Sequence, residues 1–111
     1  MTALVDILPS HAEIVRDTLR RTAPSGSQVL VFGSRATGKA RRISDLDLAI
    51  DCGRYITLSE HGAMSYEFEE APLPWSVDVV DLNGITPEFR ARIAKDMVPF
   101  PVMDMATLTR G

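Results

Sequence analysis

The sequence is short of the residues that build cross-links, membrane anchors and nucleic-acid surfaces. Cys52 is its single cysteine, which excludes an internal disulfide and removes the case for a secreted, stapled scaffold. No apolar run approaches the roughly 20 residues that span a bilayer, and Met1 to Asp6 lacks a basic stretch followed by a long apolar one. A membrane role is not expected, and the cytoplasm is the default location. Positive charge is scarce as well. Against 15 Asp and Glu stand 12 Lys and Arg, a formal net charge of -3, so general affinity for nucleic acid is not expected. The two histidines, His11 and His61, have no partner ligands at metal spacing and read as packed or surface residues.

What remains is the ordinary balance of a globular domain, 45% apolar and 24% charged. A length of 111 residues fits one domain over 1–111, with a core at about 10–98. The tail, 99–111, is rich in Met, Thr and Pro and reads as loosely organised. Its apolar start at Pro99 to Val102 would suit either docking onto the domain or a dimer or partner surface, which leaves an oligomer open.

The pattern along the chain predicts three helices and three strands. Ser10 and Glu13 resemble a capping box ahead of Ala12, Val15 and Leu19, so residues 10–22 read as a helix. Gln28 to Phe32 is a short apolar run ending at Gly33-Ser34, a buried strand entering a tight turn. Arg35 to Arg42 reads as a loop. From Asp45 to Asp51 the residues alternate, with Leu46, Leu48 and Ile50 on one face and Asp45, Asp47, Ala49 and Asp51 on the other. Leu58 to Ala71 reads as a helix, Ser76 to Leu82 as a third strand, and Thr86-Pro87-Glu88 opens a last helix with Phe89, Ile93 and Met97 as its apolar stripe. The expected fold is α/β of the α+β kind: a small mixed β-sheet covered on one face by helices, its other face available to polar groups.

Two weak signals sit close together. Asp45 and Asp47 are two residues apart on a strand, which puts both carboxylates on one face with Cα atoms about 6–7 Å apart, a spacing that suits a shared Mg²⁺. Upstream, Gly33 lets the backbone approach a ligand and Ser34 offers a hydroxyl, features fit for a triphosphate. Arg35 is a candidate phosphate contact, whereas Lys39, Arg41 and Arg42 read as a solvated basic loop. Asp78 interrupts an apolar strand, where an ionised group is costly unless paired or bound to metal, and is the best third carboxylate. Asp51 and Asp81 read as structural or turn residues, and Trp75 and Tyr66 as core residues ahead of any stacking role.

Gly33-Ser34, ten intervening residues and Asp45-Leu46-Asp47 together resemble the signature of the DNA polymerase β-like nucleotidyltransferase superfamily, in its minimal, MNT-type branch. The resemblance covers residues 10–98. It implies the polymerase β-like fold, with Gly33 and Ser34 on the β and γ phosphates. Asp45 and Asp47 would bind two Mg²⁺ ions, and Asp78 would ligand the catalytic one and help deprotonate the acceptor. It implies further that an NMP, first of all AMP from ATP, passes from an NTP to a hydroxyl with release of pyrophosphate. Members of this branch are typically encoded beside a HEPN-domain toxin and act as antitoxins by adenylylating one of its tyrosines. That would suit a chain without room for an acceptor-binding domain. Two other readings stay open: a small-molecule nucleotidyltransferase like the aminoglycoside-modifying relatives, and a catalytically idle antitoxin that acts by binding alone.

Overall fold

The computed structural model describes residues 5–104. Eight elements follow one another: α1 (Pro9–Thr22), β1 (Gln28–Phe32), α2 (Ser34–Thr37), β2 (Leu46–Asp51), α3 (Leu58–Glu70), β3 (Val77–Asp81), α4 (Pro87–Ala94) and β4 (Val98–Asp104). The strands form one sheet in the order β3-β2-β1-β4. β1 is antiparallel to both β2 and β4, while β2 and β3 are parallel, so the sheet is mixed as expected. The parallel pair is joined by α3, the crossover helix such a pair needs.

One sheet face carries the main core. Val29, Val31, Leu46, Leu48 and Ile50 are at most 1% exposed and pack with Val15 and Leu19 of α1 and Met64 and Phe68 of α3. At about 25 cal/mol per Å², burying each Leu or Ile of β2 contributes on the order of 2 kcal/mol, which locks the register of the strand and so aims its opposite face. That opposite face is divided. At one end Ala49 packs with Leu82 and with Ile93 of α4, joined by the half-buried Leu30, Phe32 and Val80. The other end carries Asp47 and Asp78. α4 thus shields half of the face that the alternation left to polar groups. Both faces of β1 are accordingly covered, which is why its five residues lack any polar alternation.

Several local expectations are corrected. The N-cap of α1 is Leu8 with no side-chain cap, and Pro9 opens the helix in place of a Ser10–Glu13 box. The box exists in α3 instead: Thr57 Oγ1 accepts from the Glu60 N–H, and Glu60 accepts from the Thr57 N–H. The stretch after Gly33, read as loop, begins with the four-residue α2. The start of the tail is strand β4, paired with β1, while residues 105–111 lie outside the described residues. No described helix is long and apolar enough to cross a membrane.

Candidate active site

β1 delivers the chain to Gly33, which takes φ 77° and ψ -160°, a backbone state that side chains other than hydrogen rarely tolerate. A second constraint acts at the same place. A Cβ on Gly33 would collide with Oδ2 of Asp47, because Phe32, just before the turn, is the β-ladder partner of Asp47. Glycine is required both by the turn and by the carboxylate beside it. Ser34 opens α2 directly after this turn, half-buried against the sheet end.

Asp47 and Asp78 are register partners on the adjacent parallel strands β2 and β3. Strands lie about 4.8 Å apart, so these two carboxylates, 31 residues apart in the chain, leave the same sheet face side by side. Asp45 lies just ahead of β2 and is exposed. The electrostatic result falls on Asp47: partial burial first, then the negative charges of Asp78 and Asp45, push its carboxyl up from 3.8 to about 6. Among the described residues no salt bridge offsets this. The described salt bridges all lie elsewhere, at Asp17, Glu67 and Glu60. No three His, Cys, Asp or Glu side chains among the described residues stand close enough together to hold an ion as they are. Like charges repel without a counter-ion, so a cation bound here would also draw the trio together. The donors, hard carboxylate oxygens beside a turn suited to phosphate, fit Mg²⁺.

Arg35 is corrected. It is 5% exposed, and its guanidinium points away from the turn. Nε donates to the Ser44 carbonyl at 2.8 Å and Nη1 to that of Asp6 at 2.7 Å, while Nη2 reaches those of Arg41 and Arg42 at 3.3 and 3.2 Å. The group also lies over the Trp75 ring, 4.7 Å from its centroid. A buried cation with its donors taken by four carbonyls is a brace for the loop that leads into Asp45, not a phosphate contact. No feature of the local sequence reports this, since one partner is 29 residues away.

The remaining expectations hold in part, Tyr66 being an exception among the core readings. Lys39, Arg41 and Arg42 are exposed. Asp51 accepts from Asn83 Nδ2 at 2.9 Å and from the Gly53 N–H at 3.0 Å, which hold its carboxyl below the usual range. Asp81 accepts from the N–H groups of Ile56 and Asn83, a turn role. Trp75 is buried with His11 edge-on at 5.6 Å, whereas Tyr66 is 61% exposed and not part of the core. Cys52, half-buried rather than fully packed, places its Sγ 3.1 Å from the Arg54 carbonyl.

A family profile described as polymerase β nucleotidyltransferase matches residues 15–99, which hold the whole of this centre. A Haemophilus influenzae protein described as a probable protein adenylyltransferase, MntA, is 37% identical over 93 residues, 84% of this chain and 81% of its own length. A solved structure described as a minimal nucleotidyltransferase is similar at a TM-score of 0.61 and 32% identity, covering 81% of this chain and 89% of its own. A toxin-antitoxin crystal structure with AMP-PNP shares the fold at a TM-score of 0.68 and 20% identity, covering 80% of this chain and 71% of its own. The chain belongs to the polymerase β nucleotidyltransferase family, among its minimal members.

Proposed function

We propose that this chain is an antitoxin-type protein adenylyltransferase, which moves AMP from ATP to a tyrosine hydroxyl of a HEPN-domain toxin with Mg²⁺ as cofactor. The observation that carries the reading is the pairing of Asp47 with Asp78 on parallel strands, beside a glycine turn where a Cβ would meet the Asp47 carboxylate. The similarity to a protein described as an adenylyltransferase supports the AMP donor, and the toxin-antitoxin neighbour supports a toxin as partner.

In this reading Gly33 and Ser34 hold the β and γ phosphates, and Asp45 and Asp47 aim the α-phosphorus between themselves and Asp78. Asp78 takes the proton of the acceptor hydroxyl as its oxygen attacks that phosphorus. The bond from phosphorus to the bridging oxygen breaks, and pyrophosphate leaves. Asp45, Asp47 and Asp78 would hold Mg²⁺, one or two ions, which would supply charge neutralisation on the phosphate oxygens. Catalysis here is positioning and electrostatics. The fold therefore spends its buried contacts on fixing β2 and β3 rather than on a nucleophile.

The test is transfer from α-labelled ATP in the presence of Mg²⁺ to the protein encoded by the neighbouring gene. Label from the α position is expected on a tyrosine of that protein, and none from the γ position. Transfer that persists in the Asp45→Ala, Asp47→Ala double variant would sink the mechanism. A partner neutralised without label would make binding alone the function.

A further inference from the structure

β3 is the edge strand of the sheet, next to the catalytic pair. The Leu46 N–H donates to the Ser76 carbonyl and the Leu82 N–H to Ile50, both at 2.9 Å, so the even-numbered residues of β3 turn their backbone groups toward β2. Val77, Val79 and Asp81 turn theirs outward. Further along the strand this outer edge is covered, with His61 Nε2 2.9 Å from the Val79 carbonyl. At Val77 it is open. There a cleft of about 490 Å³ lies between the end of α3 and the segment 71–76, floored by Phe68 and Trp75, with Asp78 at its border.

The charge of this cleft is one-sided. Glu69 and Asp78 line it, and among the described residues no Lys, Arg or His does. Glu67 and Glu60, on the same helix, are paired with Arg21 and Arg54, whereas Glu69 has no ion pair among the described residues. A triphosphate is repelled here and belongs on the Gly33 side. A cationic segment is attracted.

Resting on the function proposed above, we infer that this cleft seats the acceptor-bearing segment of the partner protein as an extended strand, and that Glu69 selects a Lys or Arg flanking the acceptor residue. Geometry supplies the reason. A hydroxyl that reaches Asp78 must bring its neighbouring residues across this cleft, where the outward N–H and C=O of Val77 offer strand-type hydrogen bonds. Alternation along an extended segment then turns the residues next to the acceptor toward Glu69 and the helix.

Two variants test it with the neighbouring gene product as probe: Glu69→Arg, which reverses the charge, and Ser65→Trp, which fills the cleft from α3. Neither residue belongs to the catalytic centre. Affinity for the probe, measured by calorimetry without nucleotide, is expected to fall about tenfold in each, as like-charge or steric opposition does at an interface. ATP affinity and melting temperature should stay at the wild-type values. Unchanged probe affinity in both variants overturns the cleft assignment, whether or not label moves. Reduced affinity in a protein that never transfers label keeps the cleft and sinks the adenylyltransferase reading instead.

Discussion

Asp47 and Asp51 stand four residues apart on the same face of one strand, and the fold treats them in opposite ways. Asp51 is met by two N–H donors that favour its charge. Asp47 receives no such donor among the described residues, is partly buried, and faces two more carboxylates, which disfavour its charge. Along about 13 Å of strand the chain thus has one satisfied acid and one held at a cost. Structural carboxylates resemble the first; a carboxylate waiting for a cation resembles the second.

The sharpest way to break the contrast is Asp47→Asn. It should lower label transfer by about 10³-fold or more, since several kcal/mol of charge stabilisation depend on that ligand, and yet raise the melting temperature of the metal-free protein. An active variant, or one that melts earlier, would remove Asp47 from its assigned place. Next in size is Gly33→Ala. The positive φ and the collision with Asp47 should cost about 1–3 kcal/mol in denaturant unfolding and about 10²-fold in transfer, because the carboxylate is displaced. Arg35→Lys should destabilise the fold by about 2 kcal/mol, since an ammonium cannot serve four carbonyls spread around a planar fork. Unfolding curves check this directly, and a variant as stable as wild type would refute the brace.

The two acids also predict opposite pH slopes. Asp47 keeps a proton in the fold between 3.8 and about 6 that the unfolded chain releases, so metal-free stability falls as pH rises through that window. The full shift is discounted for solvent at this partly exposed group, leaving an effect of about 1 kcal/mol. Asp51 works the other way: its stabilisation is present above about pH 4 and is lost as pH drops below it. Urea titrations of wild type and Asp47→Asn across pH 3–7 separate the two, because the upper slope should vanish in the variant. The smallest effect is expected from Asp51→Asn, whose Oδ1 can still accept both N–H groups. A few tenths of a kcal/mol and no change in transfer are expected. A large loss of activity there would erase the distinction between the two ends of β2.

How much of this was legible in the sequence depends on whether the cause was local. β1 was readable to the residue, and β2 nearly so, because apolar alternation and a following Gly-Ser are contained in the segment itself. Asp78 was singled out by an expected cost of burial inside an apolar strand, a cost the fold does not impose, since Asp78 is exposed; its register with Asp47 came from the crossover through α3. β4 was missed because a tail rich in Met, Thr and Pro read as loosely organised. On an outer strand a missing N–H need not break the ladder, and β4 is such a strand. α2 is too short to show a period. Arg35 was misjudged because its partners, a carbonyl near the start of the chain and the ring of Trp75, are brought to it only by the finished fold. The apolar residues on both sides of β1 did announce a second covered face, a signal left unused.

The parallel pairing of β2 with β3 also has a consequence for how the protein comes into being. β1 and β2 close over the connection 33–45, whereas Asp78 reaches Asp47 only across the longer connection 52–76 that holds α3, a closure with a larger entropic barrier. Gly33, Asp45 and Asp47 thus come together across one local connection, and Asp78 joins them only through the long one.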